Sequence, residues 1–327
     1  MRIAVLLLGY AVVLGASAPL WLTRADWATR SPRLGIWAWQ VLTAAVVMSV
    51  ALAGLVVAVP SVAFGGSLAE LLHACALALR AQYAAPGGAA VAAGGTVLAV
   101  AVVGRADWCL AAGLWRARRE RARHARVLAL VGRHRHDLGV TVLDDDRPAA
   151  YCLPGHGHRI VLTSATLAAL EPGALDVVIA HERAHIRERH HLVLGYAEAL
   201  QHAFPRVSLF RTAALETRRL VEMAADDQAT AGAGAGRLKL AGALVELAGA
   251  GAPPAALAAG GDAAHRVRRL MGPHRPLRRP VAWAGVLTTT AMLALPVALA
   301  AGPAVASMNM NACPLTEAPT VPASGAV

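Results

Sequence analysis

A chain of 327 residues that is 57% hydrophobic and only 16% charged, with a mean hydropathy of +0.50, does not have the composition of a purely soluble protein. The formal charge of +11 is almost wholly arginine, Lys239 being the single lysine. Those arginines flank apolar runs, so membrane topology explains them first, and no direct nucleic-acid binding is expected. The four cysteines (75, 109, 152 and 313) show neither CxxC pairing nor metal spacing.

Residues 3–22 form a first apolar run, long enough to span a bilayer. Ala16-Ser17-Ala18 also resembles a signal cleavage site, but Arg2 is the only positive charge ahead of it, and a retained helix is preferred. Residues 36–59 form a second span, with Trp37 and Trp39 as interfacial anchors. Residues 61–88 are less apolar and suggest an amphipathic helix at 67–83, and 89–115 supply a third span. Residues 116–135 carry eight arginines against Glu120, the pattern of a juxtamembrane helix at an anionic leaflet.

Val140–Leu143, Ala149–Pro154 and Arg159–Thr163 read as strands, the last two as a hairpin. His156 and His158 in its loop read as solvated rather than metal-bound. A short helix at 164–170, capped by Thr163 or Ser164, precedes a central helix from Pro172 to about residue 203. Leu175, Ile179, Ile186 and Val193 give that helix one apolar stripe, and His181 and His185 lie well away from it. After Pro205 a helix resumes to about 230, another covers 237–249, and 250–262 reads as a flexible loop. Six arginines crowd 263–280, and a fourth span at 281–302 precedes a tail at 303–327.

The expected organisation is a membrane domain at 1–115 with three transmembrane helices, a cytoplasmic domain at 116–280, a fourth helix at 281–302 and a short extracytoplasmic tail. The arginine clusters bracketing 136–265 place that region in the cytoplasm of a multi-pass protein of the cell membrane. Cys75 and Cys313 would then share the oxidising side and could pair.

Within the central helix stands His181-Glu182-Arg183-Ala184-His185. Residues four apart on a helix share a face, so two imidazoles can grip one metal ion. Glu182 is placed to act as general base toward water, the zincin arrangement with Zn2+ as the expected metal. A third ligand must come from elsewhere. Glu222, on the next substantial helix, is the preferred candidate, with Asp227 and Glu216 as fallbacks. Asp226, one turn beyond Glu222, is spaced to orient a ligand histidine through its second nitrogen. His190, His191, His202 and Tyr196 are candidate donors to the oxyanion, and the strand 158–164 is a candidate for binding substrate by β-addition.

The segments Tyr151-Cys-Leu-Pro, Arg159-Ile-Val-Leu-Thr-Ser, Leu175-Asp-Val-Val-Ile-Ala-His-Glu-Arg-Ala-His-Ile and Glu222-Met-Ala-Ala-Asp226 resemble the gluzincin core of integral membrane peptidases. The three-spans, peptidase, one-span layout resembles the BlaR/MecR-type branch. That resemblance implies a mainly α membrane protein with an α+β gluzincin-like zinc peptidase domain inserted between the third and fourth transmembrane helices. It implies His181, His185 and Glu222 as ligands, Glu182 as base, and a protein substrate such as a winged-helix repressor, cleaved in signal transduction. The tail is too short for the penicillin-binding sensor of the β-lactam receptors, so direct β-lactam acylation is not expected. The alternatives are an HtpX-like quality-control protease and a non-catalytic membrane signalling protein.

Overall fold

The computed structural model describes residues 1–58, 86–155, 159–231, 235–249, 260–273 and 275–310. The described chain is mostly helical, with one small sheet. Its first elements are α1 (Arg2–Leu22), α2 (Asp26–Arg30), α3 (Pro32–Ala58) and α4 (Gly88–Val131). Four strands follow: β1 (Arg133–Arg135), β2 (Val140–Leu143), β3 (Ala150–Leu153) and β4 (Arg159–Thr163). The remaining helices are α5 (Ser164–Ala169), α6 (Pro172–Arg187), α7 (His190–Ala203), α8 (Ser208–Ala229), α9 (Gly236–Gly249), α10 (Gly260–Met271) and α11 (Arg279–Met310). The expected helix at 67–83 and both Cys75 and Cys313 lie outside the described residues, as do His156 and His158.

Among the described residues, α1, α3, α4 and part of α11 are long and apolar enough to cross a membrane. α4 does not stop where the arginines begin. It continues unbroken from the apolar run through Arg116 to Val131, because Ala, Leu and Arg are all good helix formers. α3 and α4 touch at Gly54 and Gly95, where a Cβ on Gly54 would sit 2.5 Å from the Gly95 carbonyl oxygen. Only glycine permits that approach. α11 likewise runs past residue 302 to Met310, where the sequence suggests a tail without fold.

Two apolar cores position the rest. In the first, Trp39 and Leu42 of α3 pack with Leu209, Phe210, Leu220 and Met223 of α8 and Leu200 of α7. Trp39 is therefore a core residue, 1% exposed, rather than an interfacial anchor; Trp37 stays exposed. Fully burying Leu220 or Met223 contributes on the order of 1.5–3 kcal/mol each, so α8 is fastened to the apolar helix α3. The second core joins Val140, Ile160 and Leu162 of the sheet to Leu175, Val178 and Ile179 of α6 and Leu240 of α9.

The sheet order is β1-β2-β4-β3, with β2 and β4 parallel and both outer pairs antiparallel. β3 and β4 form the expected hairpin, in register from Ala150↔Leu162 to Leu153↔Arg159. Thr163 caps α5, its hydroxyl accepting from the Thr166 N–H at 3.3 Å. β4 lies between β2 and β3, so from Val161 to Thr163 it has no free edge for the β-addition expected of that strand. Among the described residues β1 and β3 are the edge strands, and β3 lies against α6.

The expected single helix from Pro172 to 203 is two helices. α6 ends at Arg187, and Arg189 adopts φ 52, a left-handed conformation that turns the chain before α7 begins. The apolar stripe divides at that turn. Ile186 packs into the second core, while Val193 packs against the first.

Candidate active site

α6 lies between the sheet and α8, and its two faces differ accordingly. Leu175, Val178 and Ile179 fill the core on one side, and His181 and His185 face α8 on the other. Glu222 comes from the middle of α8. Ligand atoms of His181, His185 and Glu222 all lie within 4.8 Å of one another. The two Nε2 atoms are 3.0 Å apart, and they stand 3.5 Å (His181) and 3.7 Å (His185) from the Glu222 carboxylate. Donors about 2.1 Å from a tetrahedral zinc are separated by roughly 3.4 Å, so these three edges fit a cation shared among them.

The imidazoles are oriented from behind. His181 Nδ1 lies 3.0 Å from the wholly buried Asp226 carboxylate. Asp226 in turn accepts from Arg266 Nε at 2.9 Å and Nη2 at 2.6 Å, a two-pronged contact. Arg266 also reaches Glu222, with Nη1 3.0 Å from Oε2. His185 is held differently. Its Nδ1 is 3.1 Å from Nδ1 of the buried His190, whose Nε2 is 3.4 Å from Glu188. Glu188 then pairs with Arg33 at the start of α3, and Arg33 also contacts Gln228. If each imidazole carries its proton on Nδ1 toward its buried partner, both Nε2 lone pairs point at the shared centre.

The electrostatics agree with a centre that holds positive charge. Burial opposes a charged His181, but contacts with Asp226 and Glu222 outweigh it and raise its pKa to about 9. Burial lowers His185 to about 4, with His181 and His190 adding repulsion against the attraction of Glu222. Burial would raise the acids, yet His181 and Arg266 bring Glu222 and Asp226 down to about 2.

Glu182 is 9% exposed and is the one acid of this group whose pKa burial succeeds in raising. Glu222 adds to that rise, and His181 works against it. A carboxylate moved toward neutrality suits proton uptake and return. Cys152 on β3 neighbours Glu182, and burial beside that acid pushes its thiol up to about 12, so it is neutral.

Of the further candidates, Asp227 pairs with Arg269 at 2.6 Å and Glu216 with Arg219 at 3.5 Å, both outside the three-ligand cluster. Tyr196 packs against the first core, and His202 bonds the Glu198 carbonyl at 2.7 Å on the exposed face of α7. His190 reaches the site, and it does so behind His185 rather than in front of it. Arg266 and Cys152 escape a reading of spacing. Arg266 is one of six arginines that suffice to explain topology, and Cys152 has no cysteine partner to make it stand out.

Residues 115–218 match the model of Peptidase family M48, which supports a zinc metallopeptidase of that family. The match covers the sheet, α6 and the start of α8, and ends before Glu222, Asp226 and Arg266. No curated protein and no solved structure matches the chain.

Proposed function

From a peptidase match over the segment that carries His181, Glu182 and His185, we propose a membrane-embedded zinc endopeptidase that hydrolyses a protein substrate at the cytoplasmic face. The observation that carries this is the convergence of His181, His185 and Glu222 with the buried Glu182 beside them. His181, His185 and Glu222 would hold the zinc. Zinc when bound supplies Lewis acidity, polarising a peptide carbonyl and lowering the pKa of water to about 7.

The chain's own groups do the rest. Glu182 takes a proton from the attacking water and returns it to the leaving amine. The neutral Cys152 thiol places β3 beside the Glu182 carboxylate. Asp226 and Arg266 hold the His181 ring, and His190 and Glu188 hold the His185 ring. β3 offers its unpaired edge to an extended substrate segment next to Glu182.

Membrane placement is supported by the four long apolar helices. Arg30 donates to the Arg275 carbonyl and Arg269 to the Thr29 carbonyl, so the segment joining α1 to α3 lies on the same side as the site. Both carry excess arginine, which favours the cytoplasm. The layout supports a signalling role of the BlaR/MecR type, such as inactivation of a repressor. The test is zinc analysis and casein cleavage by the full chain in nanodiscs, wild type against Glu182→Gln. Cleavage by the wild type alone, with zinc in both, is expected. Equal cleavage by the two would overturn the assignment.

A further inference from the structure

Beside the candidate active site lies a cavity of about 1100 Å³, between the arginine-rich half of α4, the segment following β3 and the start of α7. It adjoins the site through two residues. Leu153 lines it and follows Cys152, which neighbours Glu182; His191 lines it and follows His190, which contacts His185. A segment extended along β3 past Glu182 therefore runs into this space.

The lining has four arginines and no acid. Two of the four are engaged. Arg119 stacks 4.0 Å from the ring centre of Trp115, and Arg159 donates to the Ala125 carbonyl at 3.4 Å. Arg118 and Arg121 have no acidic partner among the described residues. They repel each other, and burial with that repulsion lowers the pKa of half-buried Arg121. Arg118 is exposed and Arg121 half-buried, so two like charges meet at the mouth of a partly apolar cavity, an arrangement that favours an anion. Trp115, Leu153 and Leu192 supply apolar walls that a simple inorganic ion would not use.

We propose that this cavity is a substrate subsite selecting acidic side chains on one side of the scissile bond, with Arg118 and Arg121 as the recognising groups. The inference rests on the peptidase reading for the word substrate, but the binding it claims is measurable without turnover. Continuity with β3 favours a peptide over a lipid headgroup, since Leu153 at the end of β3 and His191 next to His190 line the cavity opposite α4.

The probes are two fluorescein-labelled decapeptides, one with three glutamates and one with glutamines in their place. Their binding is followed by anisotropy at physiological salt. The protein is zinc-loaded full-length Glu182→Gln in phosphatidylcholine nanodiscs. The glutamate peptide is expected to bind at least tenfold tighter. Adding Arg118→Glu with Arg121→Glu should remove that preference while zinc content and neutral-peptide binding stay unchanged. Equal binding of both peptides before that change overturns the proposal. So does loss of both peptides together after it. Loss of the preference in phosphatidylglycerol nanodiscs, restored by added salt-matched phosphatidylcholine discs, would make the lipid headgroup the occupant and also overturn it. Failure of the wild type to cleave any peptide that Glu182→Gln spares would sink the peptidase reading alone, because the anisotropy still reads the cavity.

Discussion

The two histidines of the site are supported by unlike arms. Behind His181 stand Asp226 and Arg266, both at least 88% shielded at the side chain and both from the helices around the site. Behind His185 the arm is longer. It passes through His190 and Glu188 to Arg33, a side chain 63% exposed at the start of an apolar helix. The first arm is an internal brace whose charges cannot be separated cheaply. The second is a link, ending on the apolar helix α3, whose last contact costs little to break.

Glu182→Gln should have the largest effect and be blind to this difference. Hydrolysis falls by ~10²–10⁴-fold or more while zinc binding persists, read by turnover alongside metal content. Asp226→Ala breaks the brace and leaves buried Arg266 with Glu222 as its one remaining acidic contact, which costs up to about 3–5 kcal/mol. A fall in melting temperature together with zinc loss is expected, and unchanged melting would show the brace is not structural. Asp226→Asn keeps a hydrogen-bonding group and should cost ~10–100-fold in zinc affinity with less loss of fold. His190→Phe removes the first joint of the link, and about tenfold weaker zinc binding is expected, measured by chelator competition. An equal effect from Asp226→Asn and His190→Phe would erase the distinction between the arms.

The smallest effect is at Glu188→Gln. Burial would raise the Glu188 pKa, but the bond from Arg33 wins and lowers it below the ordinary value of 4.5. A carboxylate lowered in the folded state stabilises above its unfolded pKa, and that stabilisation is lost as pH falls through the folded value. Wild type should therefore melt slightly above Glu188→Gln at pH 7, by up to about 1 kcal/mol. The difference should vanish well below pH 4.5, measured by thermal denaturation across pH.

The brace was more legible in the sequence than the link. Helical spacing alone puts His181 with His185 and Glu222 with Asp226, and the ordinary geometry of two packed helices brings these pairs together. Arg266 was hidden by abundance, since a run of arginines before an apolar helix already has a sufficient explanation. The link depends on the turn at Arg189, and Arg187-Glu188-Arg189-His190-His191 contains no glycine or proline to announce it. Without that turn His190 would continue around α6 rather than fold back on His185. The choice of edge strand was illegible for a similar reason. The hairpin partners were plain from local pattern, but which of them faces outward depends on β2 pairing with β4, a contact between distant segments.

The unbroken α4 has a consequence of its own. Its 44 residues extend about 66 Å, roughly twice the hydrocarbon thickness of a bilayer. On the proposed membrane placement, with the apolar half in the bilayer, the other half is a stalk that carries one wall of the arginine cavity at a set height. Such a stalk would work as a ruler. A membrane-anchored substrate would be cut at a fixed distance from its own anchor, whatever the sequence there, and lengthening its juxtamembrane linker would move the cut by the same number of residues.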